Sequence, residues 1–509
     1  MTVVIDGSPL TIDDVVAVAN GRADVEVGDG LADRMMPALQ VVRSEVANDE
    51  VVYGVTTGFG ALANTRIFGE DATHFQMDLL RSHAGAVGAL LDPVTVRAML
   101  LLRARTLAQG HSGVRPEIVV FIVEMLRRGL VPAVPEQGSV GASGDLAQFA
   151  HLALPIIGEG HLVVDGASVP AADVLGEVGL VPLILEPKEG LSLLNGTEGM
   201  LALGCLGVDR ARRLADAADA ACALSIEALL ASVVPLDRRI HELRPHPGQV
   251  HSAAKISWLL AGSEIVESHR KDMSHAVQDA YSIRCAPQVH GAVRDTIDHA
   301  ATVFERELGS VVDNPIVFPD TGEVISGGNF HGQPLAFALD FLAIAVSELG
   351  SISERRTDRI LDPERSAGLT PFLAGRPGLE SGYMLAQYTA ASLVAENRVL
   401  AHPASVDSIP TSGSQEDHVS MGWGAGRKLQ HVLANTTLVV AIELLCAAEG
   451  CEQRAPLQPA SGTAAVLAAV RERVPALDGD RSFGADIERA AEMITAGGLD
   501  TIFNPWSEE

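Results

Sequence analysis

Cysteine is scarce: the chain has five in 509 residues, at Cys205, Cys222, Cys285, Cys446 and Cys451. The number is odd and no CxxC pair occurs. That excludes a disulfide framework and predicts reduced thiols in a cytosolic protein. Aromatic residues make up only 4% of the chain, against 47% hydrophobic residues overall. A composition rich in Ala, Leu and Val and poor in aromatics predicts a mainly helical protein and argues against a β-sandwich. Basic residues are outnumbered, 37 Lys and Arg to 65 Asp and Glu, for a formal net charge of −28. No basic run stands out, so a nucleic-acid partner is not expected. No uncharged apolar run reaches the roughly 18 residues of a membrane span. The N-terminus, "MTVVIDGSPLT", lacks the basic and apolar regions of a signal peptide. A cytoplasmic location is expected.

Lysine is rarer still, at Lys188, Lys255, Lys271 and Lys428. None follows a glycine-rich phosphate cradle, which argues against a pyridoxal Schiff base. His241, His246 and His251 are evenly spaced, but Pro245 and Pro247 break any helix between them. With no HExxH or CxxC spacing, no metal is expected.

What is present is helix and glycine. "DPVTVRAMLLLRARTLAQG" opens with Asp92 as a cap and Pro93 in the first turn, and Gly110 stops it. Ile118, Phe121, Ile122, Met125 and Leu126 form an apolar stripe that Gly129 ends. Helices are predicted over 200–234, 252–268, 291–308, 335–361, 383–402 and 425–452. Several are apolar nearly all round, as in a bundle or a subunit interface. Hairpins are predicted at "HLVVDG"–"ASVP" and in "IVFPDTGEVIS". A boundary falls near 190, giving segments 1–194 and 195–509.

Between the helices stand irregular glycine-rich segments: "VVYGVTTGFG", "RSHAGAVG", "VPEQGSVGASGDL", "LLNGTEGM" and "SGGNFHGQP". Two polar helix-edge segments join them, "VQDAYSIRCAPQVHG" and "SGSQEDHVSMGWG". Glycine lets a backbone approach a ligand closely. Tyr53, His83, Asn195, Tyr281, Arg284 and Glu416 are the polar side chains in these segments that can converge. The third segment is neither a G-x-S-x-G elbow, since Asp145 stands two residues after Ser143, nor a phosphate loop, since no lysine follows.

Taken together and in this order, the segments resemble the aromatic amino acid ammonia-lyase family, over nearly the whole chain. The fold this implies is mainly α, a long-helix bundle of the ammonia-lyase/fumarase-like type. Residues 1–194 would carry the prosthetic group, and 195–509 the helical bundle and oligomerisation. In this family the triplet matched by Ala142, Ser143 and Gly144 cyclises into a methylidene-imidazolone (MIO). The Gly144 nitrogen would attack the Ala142 carbonyl with loss of water, and loss of the Ser143 hydroxyl as a second water would leave the methylidene. The residue types suit that chemistry: Ala142 is small, Gly144 accepts angles denied to other residues, and Ser143 carries its hydroxyl beside an acidifiable Cα–H.

The resemblance makes Tyr53 the base for the substrate β-proton and Arg284 the clamp on the substrate carboxylate. Asn195 and Tyr281 would hydrogen-bond the carboxylate and the prosthetic-group oxygen. Gln278 and Phe330 match further substrate positions. Ser82-His83 resembles the histidine-specific form, where tyrosine enzymes tend to have His-Leu and phenylalanine enzymes Phe-Leu. With Gln415-Glu416 it implies that His83 and Glu416 grip an imidazole, whose ring offers one donor and one acceptor when neutral. The expected reaction is loss of ammonia from L-histidine to give urocanate, in a homotetramer with active sites shared between subunits. A tyrosine ammonia-lyase or aminomutase would share the electrophile. A helical assembly protein without a matured ring is the reading outside enzymology.

Overall fold

The computed structural model describes residues 1–48, 50–52, 54, 57–58, 71–269 and 277–507, with the backbone alone at 71–73 and 504–507. Tyr53 lies outside the described residues. Helices dominate, as the composition predicts, and the chain divides into two compact units. The first comprises Met1–Leu206, Ala301–Leu339 and Pro403–Arg427; the second Gly207–Ala300, Asp340–His402 and Lys428–Glu509. The sequence reading has a single cut at 194. The units are instead discontinuous, because the long helices pass from one to the other partway along their length.

Every strand among the described residues falls in the first unit. The strands Thr2–Ile5 and Asp24–Val27 pair in parallel around the helix Ile12–Ala19. That helix starts at a capping box in which Thr11 Oγ1 accepts from the Asp14 amide and the Thr11 amide donates to Asp14 Oδ2. Both predicted hairpins form, His161–Val164 with Ala167–Pro170 and Ile316–Phe318 with Glu323–Ile325. The pairing of Val87–Leu90 with Pro135–Gln137 has no alternating pattern to announce it. The core of the unit is the helix Pro93–Ala108, capped by Asp92 Oδ1 accepting from Thr95. From Ala98 to Ala108 every residue is buried.

Among its described residues the second unit has helices joined by turns and loops, and no strand. The predicted helix 200–234 ends at Ala228, with Leu230 left-handed beyond it. The stretch 252–268, expected as one helix, is two, Pro247–Leu259 and Glu264–His269, because Gly262 takes φ +79° between them. In its core Arg356 pairs bidentately with Glu443, both fully buried. Ser225 and Ser353 add hydrogen bonds to the same carboxylate, so the buried anion is fully partnered. Gln333–Leu361 and Gly422–Glu452 are long and apolar enough to cross a membrane by length and composition. Of their most apolar windows, 67% and 78% is buried within the chain.

Candidate active site

The first unit contains a cavity of about 160 Å³ lined by His83, Ser143, Asn195 and Glu416, with Leu79, Leu146, Leu191, Leu194, Asn314 and Ser412. Four of the side chains singled out in the sequence thus share one wall-to-wall space. Each arrives from a different element. His83 is the last residue of the helix Asp71–His83. Ser143 sits in the loop before the helix Leu146–Ala153. Asn195 ends the helix Glu189–Leu194. Glu416 follows the short turn Ser412–Ser414.

The triplet loop is held from several sides. Gly144 has φ +75°, and a Cβ built on it would lie 1.6 Å from the Gly196 carbonyl oxygen. Only glycine fits there. The Asp145 amide donates to Gly196 O at 3.0 Å, and the Gly196 amide donates to Ser143 O at 3.2 Å. Gly141 is clasped by Ser420, whose hydroxyl donates to Gly141 O at 3.1 Å. Asp145 is fully buried. Its Oδ1 accepts from Ser139 Oγ and its Oδ2 from the Met200 amide. Burial pushes its carboxyl up to about 7, against the pull of those two hydrogen bonds.

In the cavity wall, His83 Nδ1 lies 2.9 Å from the Leu79 carbonyl. A carbonyl only accepts, so Nδ1 carries the proton. Burial disfavours the imidazolium and lowers the His83 pKa, opposed by the Leu79 hydrogen bond and the Glu416 carboxylate. Glu416 is fixed by Thr411, whose hydroxyl donates to Oε2 at 2.7 Å.

Phe330 is half-buried in the loop before the helix Gln333–Leu361 and is not among the cavity-lining residues. Gln278, Tyr281 and Arg284 belong to the second unit, where they meet one another. The Arg284 guanidinium donates to Gln278 Oε1 and lies over the Tyr281 ring, 4.6 Å from its centroid. Tyr281 is 70% exposed. The turn Tyr281–Arg284 is tied to the unit's core, since Arg356 donates to the Ser282 carbonyl at 3.2 Å.

The sequence reading passed over the leucines and Asn314. The leucines gave no signal, because an apolar residue in a helical run reads as core. Asn314 stood beside a usable one, the Asp-Asn-Pro turn at 313–315.

The model of the aromatic amino acid lyase family matches residues 10–472. The chain belongs to the aromatic amino acid lyase family. It is similar to the histidine ammonia-lyase of Gloeobacter violaceus, 52% identical over 97% of this chain and 96% of that protein. The histidine ammonia-lyase of an Anaeromyxobacter species is 49% identical over 98% and 99%. Among solved structures, a tyrosine aminomutase from Streptomyces globisporus has a TM-score of 0.94 at 39% identity, over 99% of this chain and 98% of that one. A histidine ammonia-lyase from Trypanosoma cruzi has 0.91 at 42%, over 99% and 96%. As a member of this lyase family the chain is an enzyme acting on a small amino acid, and the family is MIO-dependent in general.

Proposed function

We propose that the chain is a histidine ammonia-lyase, a carbon–nitrogen lyase releasing ammonia from L-histidine to leave urocanate, with an MIO formed from Ala142, Ser143 and Gly144. The observation that carries this is the shared cavity: Ser143 opens into the same space as His83 and Glu416. The residues fit the group. Gly144 is left-handed and pressed against Gly196, Ser143 is half-buried with the cavity before it, and Ala142 is small. The matured ring supplies an electrophile that turns the α-amine into a better leaving group.

The chain's own residues supply the rest. His83, protonated on Nδ1, and Glu416 stand in the wall of a cavity that four leucines also line. With Nδ1 turned to Leu79, His83 offers Nε2 as an acceptor beside the Glu416 carboxylate, so a protonated imidazole, with two N–H donors, can satisfy both, whereas a phenyl ring can pair with neither. Tyr53 is proposed as the base that removes the β-proton, and Arg284, aided by Gln278 and Tyr281, as the carboxylate clamp. Phe330 is kept as a proposed contact of the substrate. The second unit presents Tyr281 to solvent in the single chain, which fits a homotetramer whose sites draw on more than one subunit. The location proposed is the cytoplasm. The aminomutase reading is the weaker one, because His83 and Glu416 together match two ring nitrogens where a phenol offers one hydroxyl.

Replacing Ser143 with alanine tests the electrophile. The wild-type chain should weigh two waters less than its sequence and turn over histidine. Ser143→Ala should lack the loss of the second water, keep its helical circular dichroism, and lose activity by orders of magnitude. A Ser143→Ala enzyme with near wild-type turnover would end the proposal.

A further inference from the structure

The side chain of Asn195 is held by a cluster that the catalytic reading leaves unused. Lys188 is completely buried, and so is Asp313 within about a percent. Lys188 Nζ donates to Asp313 Oδ2 at 2.8 Å and to Ser192 Oγ at 2.9 Å. Ser192 Oγ in turn donates to Asp313 Oδ2 at 2.8 Å. The other carboxylate oxygen, Asp313 Oδ1, accepts from Asn195 Nδ2 at 3.3 Å, and Nδ2 also donates to the Asn314 carbonyl at 3.1 Å. Lys188 itself has φ +74°, a left-handed conformation rare for a long side chain, at the start of the helix Glu189–Leu194. A lysine is held there only when its surroundings fix it. The backbone at the far end of the same helix is fixed separately, by Arg103 donating to Ser192 O and Asn195 O.

Two facts follow from donor and acceptor chemistry. Asp313 Oδ1 and Asn314 O can only accept, so the edge of the Asn195 amide facing them must be its NH2, and both N–H groups are used. What remains for the cavity is the carbonyl oxygen. Burial alone would raise the Asp313 carboxyl, but the Lys188 ammonium outweighs it and holds the acid ionised. Without its cation the carboxylate would lose that hold.

We infer that the buried Lys188–Asp313 ion pair positions Asn195, turning its carbonyl oxygen into the cavity as an acceptor for the amine of the bound amino acid. The inference rests on the proposed function for the identity of that amino acid, and it moves Asn195 from the carboxylate end of the substrate to the amine end. Lys188 and Asp313 are positioning residues: they act through Asn195 and do not line the cavity.

A double-mutant cycle tests it. Asp313→Asn keeps the size of the side chain and removes the charge. In the wild-type background it should lower kcat/KM about 10²-fold, the cost of a misplaced group at a reacting centre. In an Asn195→Ala background the same change should cost less than about threefold, since its only route to the substrate is already gone. Equal losses in both backgrounds, or no loss in the first, would overturn the inference. Every variant is also weighed intact. One that folds but lacks the two-water deficit overturns it too, because the pair would then act on ring formation. If Asp313→Asn does not fold, Ser192→Ala, which removes one hydroxyl from the cluster, is taken through the same cycle against the same criteria. The fold-changes are read on whichever amino acid the wild type turns over, so a wrong substrate assignment leaves the cycle readable. In the same assay Asn195→Ala should weaken inhibition by histamine more than by imidazolepropanoate; the reverse order would contradict the acceptor role.

Discussion

Gly144 carries a demand that no other residue type meets. A methyl group there would have to pass through the Gly196 carbonyl oxygen, at a backbone angle that L-residues avoid. Gly144→Ala should therefore fold its helices yet show no two-water deficit by mass, and a matured Gly144→Ala chain would contradict the reading of this turn. Its neighbour Asp145 makes a second residue-scale prediction. A buried acid whose pKa is raised to about 7 in the fold binds its proton more tightly folded than unfolded. Its stability contribution is present below the unfolded value near 4 and is lost as pH rises through about 7. Asp145→Asn cannot titrate. The melting temperature of Asp145→Asn relative to wild type should therefore rise between pH 5 and pH 8. A flat difference across that window would mean that Asp145 is not the buried titrating acid described here.

At the scale of elements, the cavity is assembled from the ends of helices. His83 and Asn195 close helices, Ser143 precedes one, and Glu416 stands behind a turn in which Ser412, Gly413 and Ser414 are all left-handed. This explains what the sequence disclosed. Caps and stops are local chemistry, so Asp92, Gly110 and Gly129 mark their helices plainly, and the glycine-rich joints mark the site. Pairings between distant segments are not local. The parallel pair Thr2–Ile5 with Asp24–Val27 and the tie of Asp145 to Gly196 depend on residues far apart in the chain, and nothing in either stretch announces the partner. Nor does a lone buried lysine such as Lys188 declare that its carboxylate lies 125 residues on. The proposed ring contacts give the prediction at this scale. Exchanging His83 for leucine removes one of the two polar groups proposed to face the ring. Selectivity between histidine and phenylalanine, measured as the ratio of kcat/KM, should move toward the carbocyclic amino acid. Glu416→Ala should reduce histidine turnover far more than any residual activity on tyrosine. If both variants kept the wild-type ratio, the ring would bind elsewhere.

The whole molecule leaves large apolar side chains on its surface. Leu385, Tyr388 and Val399 on the helix Met384–Leu400 are 51%, 63% and 75% exposed, and Phe341 and Ile344 are close to half exposed. Large apolar side chains exposed in this way are commonly covered by other subunits in stable assemblies. The proposed homotetramer would cover it and would bring Tyr281 and Arg284 to a neighbour's cavity. Mixing Tyr53→Phe with Arg284→Ala protein under conditions of subunit exchange should then restore part of the activity that each lacks alone. A fully active monomer in light scattering would contradict shared sites.

The central claim is that the electrophile serves an imidazole-bearing amino acid, and one assay reaches it most directly. Purified enzyme is offered L-histidine, L-tyrosine and L-phenylalanine in turn, and the ultraviolet absorbance of each unsaturated product is followed together with released ammonia. On the proposed reading, His83 and Glu416 in the cavity wall disfavour rings unable to pair with both, by about 10⁴-fold where a required hydrogen bond is missing. Histidine should give urocanate and equimolar ammonia with by far the largest kcat/KM, and phenylalanine almost nothing. A larger kcat/KM on tyrosine, or a β-amino acid accumulating without ammonia, would contradict the account.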